Sequence, residues 1–227
     1  STGYSRGVGS RVLVLFDGLP YTTGDTGEIT WENFPMHQID RIEVVKGAGS
    51  ALYGSSALGG VVNVITKEIP TDSEVRWRLY SGMYDKPRFQ QWVWSDRTRF
   101  HNGGHLSFSG NTGTVAYLGS IARSVDESYK ENDVYHRWGF FTKLKFPLAP
   151  TRSLELVANM ASRTHGNFFW WKSLAEATRP AESQRNGNVD SQRGNVSFSY
   201  KEFVSQDLFY TVKGVYFGNF WRDDSAG

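Results

Sequence analysis

Chemistry needs side chains that can hold a metal, a phosphate or a reacting atom, and few stretches of this sequence offer them. Gly47, Gly49 and Gly54 punctuate a short segment in the manner of a phosphate-cradling loop. The dinucleotide pattern requires a third glycine where Leu52 stands, and the triphosphate pattern requires a lysine where Ser55 stands. Nucleotide binding is set aside on those two residues. His101 and His105 fall on one face of a strand-like run, but four residues of strand separate them by about 13 Å. One metal ion cannot bridge that gap without a bend at Gly103-Gly104. The chain has no Cys, which removes thiolate ligands, disulfides and thiol nucleophiles together. No Ser, His and Asp set stands at an informative spacing. Neither catalysis nor a resident metal or cofactor is expected. Asn195-Val196-Ser197 matches a glycosylation sequon but lies in a strand-like run. Phe168-Phe169-Trp170-Trp171 has the composition of a ligand-gripping lip or of an interfacial anchor, and the anchor is preferred.

Composition narrows what scaffold could carry such residues. Of the 227 residues 15% are aromatic and 24 are Gly, which favours β structure over helix. The mean hydropathy is negative, and no apolar run approaches the roughly 20 residues of a spanning helix. A β-barrel survives that test, because its strands carry apolar residues only at alternate positions. A net charge of +2, scattered rather than clustered, argues against nucleic acid as a partner. Ser1 is not preceded by Met and the last residues stop just after a strand-like run, so the sequence reads as a piece of a larger protein.

The chain has two grammars. Up to about residue 67 it is rich in small residues and punctuated by glycine. Val12 to Phe16 is a continuous apolar run ending in Asp17-Gly18, which predicts a strand buried on both faces and then a turn. Ile39 to Val45 and Val61 to Thr66 predict two more strands, with a short helix between Ser50 and Leu58. This is a small mixed α/β unit. From Glu74 onward the pattern is alternation. Leu154, Leu156, Ala158 and Met160 oppose Glu155, Val157, Asn159 and Ala161. Trp138, Phe140, Leu144 and Phe146 oppose Arg137, Gly139, Lys143 and Lys145. Similar runs follow in 192–201 and 207–219, and Val75, Trp77 and Leu79 oppose Arg76, Arg78 and Tyr80. A period of two assigns each set to one face of a sheet.

Alternation alone fits a soluble sandwich as well as a membrane barrel. The connectors separate them. Residues 111–113, 147–151 and 202–206 are tight, whereas 84–98, 126–134 and 164–191 are long. Short turns on one rim and long loops on the other are the outer-membrane pattern. Aromatics at strand ends, such as Tyr135, Trp138, Phe146, Phe220 and Trp221, suit interfacial girdles.

The stretch from Arg41 to Lys67, RIEVVKGAGSALYGSSALGGVVNVITK, closely resembles the end of the plug domain of TonB-dependent outer-membrane receptors. Arg6-Gly7 and RVLVLFDGLP at Arg11–Pro20 resemble the earlier plug strands, in the right order. The resemblance covers most of residues 6–67, and the second half matches by pattern alone. It implies a plug domain over 1–69 (its C-terminal part) and, over 70–227, the first antiparallel transmembrane strands of a barrel of about 22 strands, of which about seven are counted here. It implies a place in the bacterial outer membrane and energised import of a scarce solute, most readily a ferric siderophore. Cobalamin, haem, oligosaccharide or peptide import and a signalling role stay open within that architecture. The partners implied are TonB with its inner-membrane energising complex, an extracellular metal chelate, and outer-membrane lipid. A passive porin or structural barrel is the rival class, and the plug motif speaks against it.

The same resemblance implies site residues. Plug apices face the outer vestibule, which points to Ser10 beside Gly9 and to the loop 21–31, with Tyr21, Thr22, Thr23, Asp25 and Trp31 as ligand contacts. Arg6 and Lys46 stand where the family places plug cations that pair with barrel carboxylates, a latch that must hold at rest and yield under load. Lysine at position 46, where arginine is common, lacks the bidentate geometry.

Overall fold

The structure is a computed structural model that describes residues 12–22, 29, 31–47, 57 and 59–224. Two sheets account for it. The smaller has four strands in the order β2-β1-β4-β3, with β1 Val12–Phe16, β2 Leu19–Pro20, β3 Ile39–Lys46 and β4 Gly60–Thr66. β1 runs parallel to β4, and the other pairs are antiparallel. The apolar run of β1 is buried on both faces, as its composition predicts. Val14 and Phe16 belong to one cluster with Tyr21, Phe34 and Val64, while Leu13 and Leu15 point into a second with Ala57 and Val61. The β1–β2 hairpin turns at Asp17 and Gly18, both at positive φ (49° and 78°). That is the twist a two-residue hairpin needs, and Asp-Gly meets it. The helix expected at 50–58 lies outside the described residues, apart from Ala57.

The larger sheet is a seven-stranded antiparallel meander, β5 to β11 in chain order. Its strands are β5 Glu74–Tyr84, β6 Arg99–Asn111, β7 Ala116–Asp126, β8 Tyr135–Ala149, β9 Arg152–Gly166, β10 Asn188–Phe203 and β11 Phe209–Asp223. Each is long enough to span a bilayer at a tilt. The turns β6–β7, β8–β9 and β10–β11 share one rim, and the loops 85–98, 127–134 and 167–187 share the other. No helix among the described residues is long and apolar enough to cross a membrane.

The two faces of the meander differ as alternation requires. Trp77, Leu79, Leu106, Phe108, Trp138, Phe140, Met160, Val196, Phe198 and Tyr216 are exposed on the outer face. A depression of about 940 Å³ there, over Gly119, Ala158, Gly194 and Gly218, opens between large apolar side chains. The inner face carries Ser107, Ser109, Ser120, Lys143, Asn159, Asn195 and Ser197, all buried. Not every strand-end aromatic joins a girdle. Tyr135 turns inward beneath the Arg163 guanidinium, 5.0 Å from its ring centroid, and Trp221 lines an inner cavity.

Candidate functional site

The inner face is built in horizontal rows, because antiparallel register carries one inward residue from strand to strand. One row runs Tyr80, Gly103, Ser124, Arg137, Arg163, Ser191, Trp221 across all seven strands. The row below it, away from the long loops, runs Arg78, His105, Ala122, Gly139, Ala161, Arg193, Asn219. These two rows hold four arginines and one histidine and no carboxylate. Lower rows are neutral or mixed. The first runs Arg76, Ser107, Ser120, Phe141, Asn159, Asn195, Phe217, and the next contains Ser109, Leu118, Lys143, Val157 and Ser197.

Against these rows sits the small sheet with the segment 31–38. Phe16, Tyr21 and Phe34 meet the apolar part of the wall at Leu118, Phe141 and Val157. Tyr21 packs against Phe34 in a tilted arrangement at 4.6 Å between centroids and meets Phe217 edge-on at 5.4 Å. Around that apolar centre runs a polar seam. Gln38 donates to Ser107 Oγ at 2.7 Å, and His37 Nε2 lies 2.8 Å from Ser120 Oγ. Asn159 Nδ2 donates to the Asn33 carbonyl (3.0 Å) and to the Tyr21 hydroxyl (3.3 Å). Arg137 donates to the Phe34 carbonyl at 3.4 Å. Serine and asparagine on the wall can do this because their own neighbours in the sheet leave those side chains free to point inward.

At the lower end of the seam is a buried charge contact. Lys143 on β8, 3% exposed, places Nζ 3.8 Å from Asp17 Oδ2 and donates to the Lys67 carbonyl at 3.2 Å. Asp17 is held in turn by Thr66, whose backbone N–H donates to Oδ1 (2.8 Å) and whose hydroxyl donates to Oδ2 (2.7 Å). One carboxylate thus ties β1, β4 and the wall together. At the upper end Arg163 reaches Glu32 at 3.6 Å.

His37 sits between these ends. Its ring stacks on His105 at 4.5 Å. Burial, then His105, Arg137 and Lys67, push it down to about 4, so it is neutral near pH 7. Beside it, a cavity of about 480 Å³ is lined by Met36, His37, Arg78, Tyr80, His105 and Arg137. A second cavity of about 300 Å³ opens nearer the long loops, between Trp31, Glu32, Arg163, His165, Ser191 and Trp221.

Of the residues expected from sequence, Trp31 lies in that upper cavity and is half exposed. Thr22 is partly buried. Tyr21 is a correction: at 2% exposure it is a core residue, not an apex. Its place one residue past the hairpin turns the ring inward, and desolvation pushes its phenol up to about 12. Lys46 ends the exposed strand β3 and has no carboxylate within ion-pair distance among the described residues. Arg6, Ser10, Thr23 and Asp25 lie outside the described residues. The charged contacts that are seen reverse the expected polarity: the wall supplies the cations Lys143 and Arg163, and the small sheet and its following segment supply Asp17 and Glu32. Lys143 was legible only as an inward polar residue. No group of three or more metal-ligating side chains occurs among the described residues.

A small four-stranded unit held by a polar seam against the inner face of an antiparallel meander is the arrangement of a plug against part of a barrel wall. Comparison with known proteins agrees. The family model of the TonB-dependent Receptor Plug Domain matches residues 1–61. The vitamin B12 transporter BtuB of Vibrio cholerae serotype O1 is 46% identical over 65 residues, 28% of this chain and 11% of that protein. The ferric citrate transporter FecA in its unliganded form superimposes with a TM-score of 0.76 over 97% of this chain and 33% of its own, at 17% identity. The RagAB peptide importer does so with a TM-score of 0.73 over 96% of this chain and 36% of its own, at 12% identity. Residues 1–61 match that plug-domain family, and the chain as a whole shares the fold of the plug and first barrel strands of these solved transporters. It spans about a third of the length of those two solved structures.

Proposed function

We propose that the protein imports a scarce extracellular solute across the outer membrane, energised through TonB and its inner-membrane complex, with a ferric siderophore as the first candidate. The plug–wall seam carries this reading. A plug meant to stay would be welded by apolar packing, whereas this one is joined largely by single hydrogen bonds and two charge contacts around a small apolar centre. Each net hydrogen bond is worth about 1 kcal/mol, so the joint can be broken piecewise by a pulling partner. The likeness of fold to FecA supports an iron chelate. The plug-region identity to BtuB supports cobalamin as the second reading. Haem, oligosaccharide or peptide import and signalling are further possibilities of the same architecture.

Within this reading the plug ends at residue 69 and the barrel begins at 70, in the link between β4 and β5. Ser10, Thr22, Thr23, Asp25 and Trp31 are the proposed ligand contacts, and Arg6 and Lys46 are proposed latch cations. Lipid covers the apolar outer face, and nucleic acid has no role. The test is accumulation of labelled ferric siderophores and cobalamin by cells carrying the full-length gene, with and without functional TonB. Accumulation of one solute only when TonB is present is expected. Accumulation that ignores TonB would sink the energised mechanism.

A further inference from the structure

The outer face carries a cation where its apolar surface ends. Arg123 on β7 stands in an outward row with Leu79, Gly104 and Trp138. The next row toward the short turns, Trp77, Leu106, Ile121 and Phe140, is wholly apolar. The next row toward the long loops, Ser81, Asn102, Val125 and His136, is mostly polar. Arg123 therefore marks the border between apolar and polar surface. A guanidinium on a lipid-facing strand costs about 2–4 kcal/mol at the bilayer midplane and little near the interface. Tryptophan beside it belongs to the same level.

This border cation has no counter-ion. Arg123 Cζ lies 4.8 Å from the centroid of the Trp138 ring, and one Nη donates to His136 Nδ1 at 3.2 Å. Neither contact brings a negative charge. No Asp or Glu pairs with Arg123 among the described residues. Asp126, further along the strand, accepts instead from the Tyr84 hydroxyl (2.8 Å) and the Ser128 backbone N–H (2.7 Å). The Asn102 side-chain carbonyl accepts from the Ser81 hydroxyl at 2.6 Å, which leaves its amide N–H groups as donors. Directly below, a depression of about 550 Å³ opens between Trp77, Leu79, Leu106, Ile121 and Trp138. Gly104 forms its floor, where a Cβ would come within 2.6 Å of Leu79 Cδ2.

We propose that this is a docking site for a phosphorylated lipid of the outer leaflet, its phosphate on Arg123 and Asn102 and an acyl chain in the depression. Guanidinium groups favour bidentate acceptors such as phosphate. The apolar rows begin about 7 Å further down the strands, so a lipid anchored by its phosphate runs its chains over them. Inorganic phosphate would use the cation and leave the depression empty. The rim with long loops faces outward, and the phosphorylated lipid of that leaflet is lipid A. The inference rests on the reading of the larger sheet as part of an outer-membrane barrel, but not on import or on which solute is imported.

The test is native mass spectrometry of the full-length receptor in detergent, titrated with lipid A bearing both phosphates, which resolves each bound lipid and its affinity. Arg123→Gln is expected to weaken the tightest binding step about tenfold, the loss of one charge-assisted contact. Ile121→Trp fills the depression without altering charge and should weaken the same step. Arg222→Gln removes a cation from the same face and rim, but one already paired with Asp224 at 2.8 Å, and should leave that step intact. Heat-modifiable gel mobility shows whether each protein is a folded barrel, so failure of the barrel reading is distinguishable from failure of the site. Lipid A stripped of its phosphates and phosphatidylglycerol are titrated alongside. Weaker binding of both supports the proposal. Equal binding of either, or a tightest step unchanged in Arg123→Gln or in Ile121→Trp, overturns it.

Discussion

Asp17 and Lys143 are not equivalent partners, and the difference predicts an asymmetry. Asp17 keeps two hydrogen bonds from Thr66 if Lys143 is removed. If Asp17 is removed, Lys143 keeps one hydrogen bond, to the Lys67 carbonyl, and the more distant field of Glu155, and its ammonium is almost fully buried. Stranding a buried charge costs about 3–5 kcal/mol. Asp17→Ala should therefore lower the urea midpoint for plug unfolding well below that of Lys143→Met. Equal midpoints would mean the 3.8 Å contact is incidental. His37 makes the seam sensitive to acid. Its folded-state value, about 4, lies below the ordinary 6.5, because burial and neighbouring cations disfavour the charged ring. Its contribution is complete above about pH 6.5 and is lost as pH falls toward 4. The calorimetric midpoint of the plug should fall between pH 7 and pH 4.5, and His37→Gln should reduce that fall. None of these pairings was legible from sequence. Asp17 read as a turn residue, which it is, and its second task depends on a wall residue 126 positions away that only the register identifies.

At the scale of elements the sequence was far more informative. The run at Val12–Phe16 foretold a strand buried twice over, and the two clusters it enters confirm it. Phe16 sits at the centre of one, within 5.5 Å of Tyr21 and 5.6 Å of Phe34 between ring centroids. Phe16→Ala should cost the plug about 3–5 kcal/mol, read as a lowered denaturation midpoint of the plug with the barrel signal unchanged. Alternation in β8 and β9 foretold which side chains face outward. Phe140 is on that face, and Phe140→Arg should lower barrel folding stability in lipid vesicles by about 2–4 kcal/mol if it lies near the midplane. An unchanged folding midpoint would place Phe140 away from lipid. Alternation could not place the strand ends. Tyr135 and Trp221 read as girdle residues, yet register puts them on inward rows, because a single position of phase decides the face. Tyr21 was missed for the related reason that a loop has no period to read.

For the whole molecule, the joint between plug and wall decides what the proposed import would require. The plug rests on strands β6 to β9 through Gln38, His37, Phe34, Asn33 and Lys67, contacts spread over both of its ends. If the protein imports a metal chelate as proposed, a solute of that size cannot pass along a wall held at these contacts, so the plug must unfold, shift or leave. Gln38 and Ser107 offer the place to ask, since they touch at 2.7 Å across the seam and both are buried. This sequence has no cysteine, so a pair introduced as Gln38→Cys with Ser107→Cys would be unique within it and can be bridged by a short thiol-specific cross-linker. The bridged full-length receptor should bind its solute at the cell surface with unchanged affinity. TonB-dependent accumulation should fall to background, and each single variant treated with the same reagent should transport normally. Retained transport in the bridged protein would show that this edge of the plug stays on the wall, and that the path opens on the side where the remaining strands would close the barrel.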